Sequence, residues 1–256
     1  MLSRMFPIIV NRLCNHRIIF LFVSFFVITP PPLWETRKRV WKIADNAINL
    51  LDIGCGYACF TRSSKARHIV GVDLDRNVWK EGYQYRKSNF DAVLADATYL
   101  PFKDQVFDVI IMTEVLEHIP NDKLCIKNVY RVLQSKGKLL ITTPNGDHLT
   151  QRPLDHVRHY KEQDLISMLS PFFNLISVLK RFDISWHMSC RFTSFRTLKR
   201  GHTCQDVTTK ERINVKYFVF AMPFFFVLSP IINIVQHIED KMGKGKYNLV
   251  IEGMKL

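Results

Sequence analysis

Three carboxylates and two glycines stand out in the first half of the chain by their spacing. Asp52 closes an apolar run and is followed by Gly54 and Gly56 (INLLDIGCGYA, residues 48–58), and Asp73 closes a second apolar run (HIVGVDLD, residues 68–75). Glycines there permit a tight turn and close backbone approach to a bulky ligand. A helix beginning near Tyr57 would add its amide end. A carboxylate at the end of the next strand is placed to accept from vicinal ribose hydroxyls. Farther on, Asp96-Ala97 offers a carboxylate for an exocyclic adenine amine and an amide for a ring nitrogen. Together these describe a nucleoside-cofactor pocket. A dinucleotide fits less well, because the G-x-G-x-x-G fingerprint would place a glycine where this chain has Cys59. Asp52 also adds negative charge beside the turn, which suits an ammonium or sulfonium centre better than a pyrophosphate.

The second constellation is Glu114-x-x-Glu117-His118. On a helical turn, positions i, i+3 and i+4 share a face, so two carboxylates and an imidazole would meet there. With a fourth ligand from His156 or His159, the set suits magnesium or manganese, with zinc an alternative. The same residues also read as a metal-free loop that shapes the pocket, with His118 as a general base. Tyr160 is either a donor to a substrate oxygen or an aromatic plug at a helix start.

Elements able to position these residues alternate between strand and helix. Strand patterns occupy 49–53, 68–72, 92–95, 107–112, 138–142, 175–179 and 247–255; helical patterns occupy 57–65, 78–86, 121–133 and 161–169. Short turns join them, as in a doubly wound three-layer α/β sheet of Rossmann-like type. The six cysteines include no C-x-x-C pair. They read as small apolar residues in a reducing, cytoplasmic setting.

Two blocks depart from ordinary soluble surface. Residues 18–29 (IIFLFVSFFVIT) follow Arg12, His16 and Arg17 and stop at three prolines; residues 218–235 are uncharged and broken by Pro223 and Pro230. The first is too short for a helix that spans a bilayer and the second is borderline. Both suit interfacial, peripheral or monotopic association, and the alternative is packing on the core. The formal charge of +13 supports an anionic membrane surface or a nucleic acid. Basic and aromatic residues between 191 and 210 keep RNA open, but they give no reason for the apolar blocks.

The ordered motifs LDIGCGYA, GVDLD, ADATYLPF, FDVIIMTEVLEHI and GKLLITTPN resemble class I S-adenosylmethionine-dependent methyltransferases of the small-molecule and lipid type, including quinone-biosynthesis enzymes. The resemblance covers residues 49–173 and implies seven strands, the last antiparallel. It assigns S-adenosylmethionine to Asp52, Gly54, Cys55, Gly56, Asp73, Leu74, Asp96, Ala97 and Thr113, and catalysis to Glu117, His118, His156 and Tyr160. Glu114, Glu117, His118 and His156 resemble the metal motif of quinone-precursor and small-RNA ribose branches, and 152–156 favours His156 over His159. Ala58 departs from the family, which usually has a third glycine there.

The implied organisation is an N-terminal apolar and basic segment (1–33), a cofactor-binding core (34–182), a cap or insertion (183–246) and a final strand (247–256). The expected activity is methylation, by preference O-methylation, of a small-molecule or lipid-like acceptor near a membrane. The alternatives are a metal-dependent RNA 2′-O-methyltransferase and a non-catalytic membrane-associated adaptor.

Overall fold

The computed structural model describes residues 33–56, 58, 60–61, 64–76, 88–148, 156–181, 234, 238 and 248–256. The chain divides into two compact units, and nearly all described residues lie in Thr36–Lys180 with Lys246–Leu256. The apolar blocks 18–29 and 218–235, the helical pattern 78–86 and the basic stretch 191–210 fall outside the described residues. Among the described residues, no helix is long and apolar enough to cross a membrane.

Helix α1 (Leu33–Ala44) leads into β1 (Asn49–Ile53), β2 (His68–Asp73), β3 (Phe90–Leu94) and β4 (Phe107–Thr113). A short 3₁₀ turn, Leu116–His118, precedes α2 (Asp122–Val132), β5 (Leu133–Pro144), α3 (Glu162–Leu169), β6 (Phe173–Arg181) and β7 (Asn248–Lys255). The seven strands form one sheet in the order β3-β2-β1-β4-β5-β7-β6. Strands β1 to β5 pair in parallel, and β7 runs antiparallel to β5. The expected mixed seven-stranded sheet is thus present.

Strand β1 has β2 on one side and β4 on the other, so the order reverses there and opens a crevice at the carboxyl ends. Four of its five residues are buried, as a central strand covered on both faces requires. Helix α2 buries Cys125, Ile126, Val129 and Val132 at helical spacing against the sheet. Its amino end is capped by the Asn121 side chain, which accepts from the Leu124 amide at 3.3 Å. At its carboxyl end, the Lys255 ammonium donates to the Tyr130 and Leu133 carbonyls at 2.6 and 2.7 Å.

Two local expectations change, and helix α1 was not among the elements expected. Residues 57–65 read as helical, yet Ala58, Phe60 and Thr61 lie in turns and Ser64 in a bend. The Ala58 and Ser64 amides donate three residues back, to Cys55 and Thr61, and Ala58 has φ of 55°. A left-handed residue interrupts helical winding. Strand β5 begins at Leu133 rather than 138, with a register shift opposite Phe107 and Val109 that accommodates the intervening residues. Helix α1 had no apolar stripe to announce it, because Thr36 and Arg37 share its buried face with Val40, Trp41 and Ala44.

Candidate functional site

The three carboxylates converge on the carboxyl ends of adjacent strands β2, β1 and β3. Asp52 is 2% exposed; its Oδ2 accepts from the Thr61 hydroxyl, and its Oδ1 has no hydrogen-bond partner among the described residues. Burial, reinforced by Asp73, pushes its carboxyl up to about 7 despite the Thr61 hydrogen bond. A buried, half-satisfied carboxylate of this kind favours a cationic partner.

The turn after β1 is backbone-driven. Gly54 has φ of 66°, and a Cβ there would lie 2.2 Å from Val115 Cγ2. Gly56 has φ of 49° and a Cβ there would meet nothing within 4 Å, so this turn faces open space. Ala58, the family's usual third glycine, is also left-handed, so the departure falls where a methyl group costs about 1 kcal/mol. Asp73 accepts from the Gly56 amide at 2.9 Å through one oxygen and from the Asp75 amide at 2.9 Å through the other. It therefore ties the turn to β2 directly, in place of the helix end expected there.

Leu74 is 67% exposed beside Asp73. Asp96 holds the Thr98 amide and hydroxyl, each at 2.7 Å, ahead of buried Ala97. Thr113 is buried at the end of β4. Cys55 lies between the two turn glycines. A Cβ on Gly71 would lie 2.7 Å from its sulfur, so the thiol packs over β2. The same thiol donates to the Gly56 carbonyl within the turn at 3.6 Å. Cys125 is buried and its thiol is pushed up to about 12 by burial, as for an inert core residue.

Arg37 was not anticipated. It is fully buried on α1, with its guanidinium carbon 5.6 Å from the centre of the Phe60 ring in the turn segment. A buried guanidinium near the cofactor turn is chemically suited to a carboxylate. No sequence pattern marked it, since a single arginine on a helix usually reads as solvated.

The second constellation assembles in part. Glu117, His118 and His156 each present a ligand atom, all within 4.8 Å of one another. Glu117 is fully buried and its Oε2 accepts from Thr143 at 3.0 Å. The His118 and His156 rings meet edge to face at 4.6 Å, and His156 Nδ1 lies 2.9 Å from His159 Nε2. Two imidazoles and a carboxylate are donors chemically suited to a divalent cation of borderline softness.

Glu114 lies off the helical face that its spacing predicts, while His118 remains near enough to act on it electrostatically. It has φ of 55° and precedes the 3₁₀ turn, so it does not share a helical face with Glu117 and His118. Its Oε1 instead accepts from Thr142 at 2.6 Å and from Asn248 of β7 at 2.8 Å, and burial raises its carboxyl. Asn248 was also missed, being 134 residues distant in sequence. Tyr160 is buried, and its hydroxyl donates to Asp122 at 2.8 Å with Leu116 O at 3.3 Å. Its geometry is that of a structural bracket. Burial and the bond to Asp122 hold its phenol far above the usual range.

Residues 51–141 match a methyltransferase-domain family model. The sheet order and the antiparallel β7 decide the architecture. The fold is that of the class I S-adenosylmethionine-dependent methyltransferases. A methyltransferase of this type from Archaeoglobus fulgidus superposes with a TM-score of 0.57 at 17% identity, covering 92% of this chain and 99% of that one. The cyclase SpnF superposes with a TM-score of 0.56 at 16% identity, covering 86% and 80%. That likeness carries fold alone, so chemistry must be argued from the site.

Among curated relatives, the demethylmenaquinone methyltransferase of Staphylococcus carnosus is 28% identical over 165 residues, 61% of this chain and 66% of that protein. The ubiquinone biosynthesis O-methyltransferase of Coxiella burnetii is 31% identical over 103 residues, 38% and 44% respectively. The chain thus spans less than two thirds of either relative.

Proposed function

We propose that this protein transfers a methyl group from S-adenosylmethionine to a small-molecule or lipid-like acceptor. The observation that carries the proposal is Asp52, whose buried Oδ1 lacks a partner among the described residues at the crevice formed where strand order reverses. The cofactor's cationic amino-acid end suits Asp52 and the Gly54–Gly56 turn, its carboxylate suits Arg37, its ribose Asp73 and its adenine Leu74, Asp96 and Ala97. S-adenosylmethionine supplies an electrophilic methyl group on sulfur. What the protein adds is alignment of the acceptor and handling of its proton.

Glu117, His118 and His156 are the proposed handlers. A divalent cation held by them would supply Lewis acidity toward a hydroxyl acceptor; without one, His118 is the proton acceptor. This favours O-methylation. Tyr160 is assigned to support of that cluster, and Thr113 to the wall of the cofactor crevice.

The quinone-pathway relatives and the two apolar blocks support an acceptor with an apolar tail, met by a cytoplasmic protein at an anionic membrane surface. The test is calorimetry of the full chain with S-adenosylhomocysteine, then methyl transfer from labelled S-adenosylmethionine to prenylated catechols presented in anionic vesicles. Binding with transfer supports the reading. Absence of cofactor binding refutes it and moves the chain toward the adaptor alternative, while failure to float with vesicles refutes only the membrane clause.

A further inference from the structure

The histidine–glutamate cluster is built from two segments far apart in sequence, and one carboxylate outside it joins them. Asp122, the first residue of α2, is 6% exposed. Its Oδ2 accepts from Arg158 Nη1 at 2.5 Å and from the Tyr160 hydroxyl at 2.8 Å, while its Oδ1 accepts from the Lys123 amide at 2.7 Å. Arg158 also donates through Nη2 to the Pro120 carbonyl at 2.6 Å. The Glu117 carbonyl accepts from the Val157 amide at 2.8 Å and the Arg158 amide at 3.3 Å. His156 immediately precedes these anchors, and its ring is thereby set against His118.

We propose that Asp122 is a positioning residue: through Tyr160 and Arg158 it docks the 156–160 segment on the 3₁₀ turn and so holds His156 against His118 and Glu117. The proposal rests on the reading of Glu117, His118 and His156 as the proton- or cation-handling group. The chemistry supports a directional bracket. Asp122 receives three hydrogen bonds in a buried setting, from a guanidinium, a phenol and a backbone amide, and bonds of this kind to a carboxylate are short and orienting. The phenol remains protonated and is a permanent donor, since burial and Asp122 both oppose its ionisation. Outer groups that orient metal or proton ligands commonly change affinity by about 10–100-fold when removed.

Tyr160→Phe removes one donor and keeps the ring in the core; Asp122→Asn keeps the shape and removes the charge. The test uses the full chain with labelled histidines. In the wild type, ring protons of His118 and His156 give a mutual nuclear Overhauser effect, a signature that needs no cation. Cobalt(II) is the probe for metal, read by its visible absorption on titration. The expected result is loss of the His118–His156 effect in both variants, with cobalt affinity lower by about tenfold or more and cooperative melting and S-adenosylhomocysteine binding retained.

Persistence of the ring contact in both variants overturns the proposal. A wild type that shows the contact but binds no cobalt refutes the metal reading alone, and the positioning proposal is then decided by the ring contact. Absence of the contact in the wild type also overturns it.

Discussion

Asp52→Asn should stabilise the unliganded protein while weakening cofactor binding, two effects of opposite sign from one side chain. The carboxyl is held at about 7 in the folded protein against an ordinary value of 3.8. The folded state therefore holds the proton more tightly than the unfolded chain. Raising the pH from 3.8 through about 7 removes stability, and above that the loss levels off. The cost of keeping an ionisable group there is about 2 kcal/mol at pH 5, part-way through that window, and about 4 kcal/mol at pH 8, above it. Asparagine has no proton to lose and can still accept from Thr61, so the variant should gain stability by these amounts. At pH 8 the melting temperature should rise on the order of 10 °C, and by about half of that at pH 5. A bound ammonium reverses the balance by giving the ionised form its partner. S-adenosylhomocysteine should therefore bind the wild type more weakly as pH falls below about 7, and the variant should bind weakly throughout with a flattened pH profile. The assays are thermal melting without ligand and calorimetry with it, both from pH 5 to 8. A variant that melts no higher than the wild type at pH 8, or binds with wild-type affinity at pH 8, refutes the assignment.

Other consequences follow from packing. Gly54→Ala combines a left-handed backbone with a Cβ 2.2 Å from Val115, so it should cost about 2–3 kcal/mol in urea unfolding and abolish cofactor binding. Pairing it with Val115→Ala should recover stability in part. Lys255→Met strips the donor from two carbonyls at the carboxyl end of α2 and should cost about 1–3 kcal/mol, measured by chemical denaturation. The buried Cys125 thiol, held near 12, should react with a thiol reagent only at the rate of unfolding, whereas in denaturant it should react at once.

Legibility followed the range of the forces involved. Strand β1 was readable because a central parallel strand buries apolar side chains on both faces, and Leu50, Leu51 and Ile53 supply them around Asp52. The turn after it was readable because Gly54 and Gly56 occupy positive φ. Helix α1 was not, because buried Thr36 and Arg37 break the periodicity that normally reveals a helix. The stretch 57–65 misled because helical spacing of apolar residues cannot register the left-handed Ala58 or the claim of Asp52 on the Thr61 hydroxyl.

At the second constellation, spacing alone placed Glu114 beside Glu117 and His118. A single backbone reversal at Glu114 removes it from that face, and Thr142 and Asn248 then hold it against the strands. Conversely, Asp122 carried no functional signal in sequence, because its partners Arg158 and Tyr160 lie 36 and 38 residues on.

By itself, then, the amino-acid order determined the parts whose physics is local: apolar runs that become parallel strands, glycines that permit the cofactor turn, and carboxylates at strand ends. The tertiary structure alone decided which distant groups meet. Register between β4 and β5 sets Thr142 opposite Thr113, and antiparallel β7 brings Asn248 to Glu114. The docked 156–160 segment places His156 on His118. Such meetings depend on strand pairing and on burial of polar groups with their partners, and neither leaves a periodic trace along the chain.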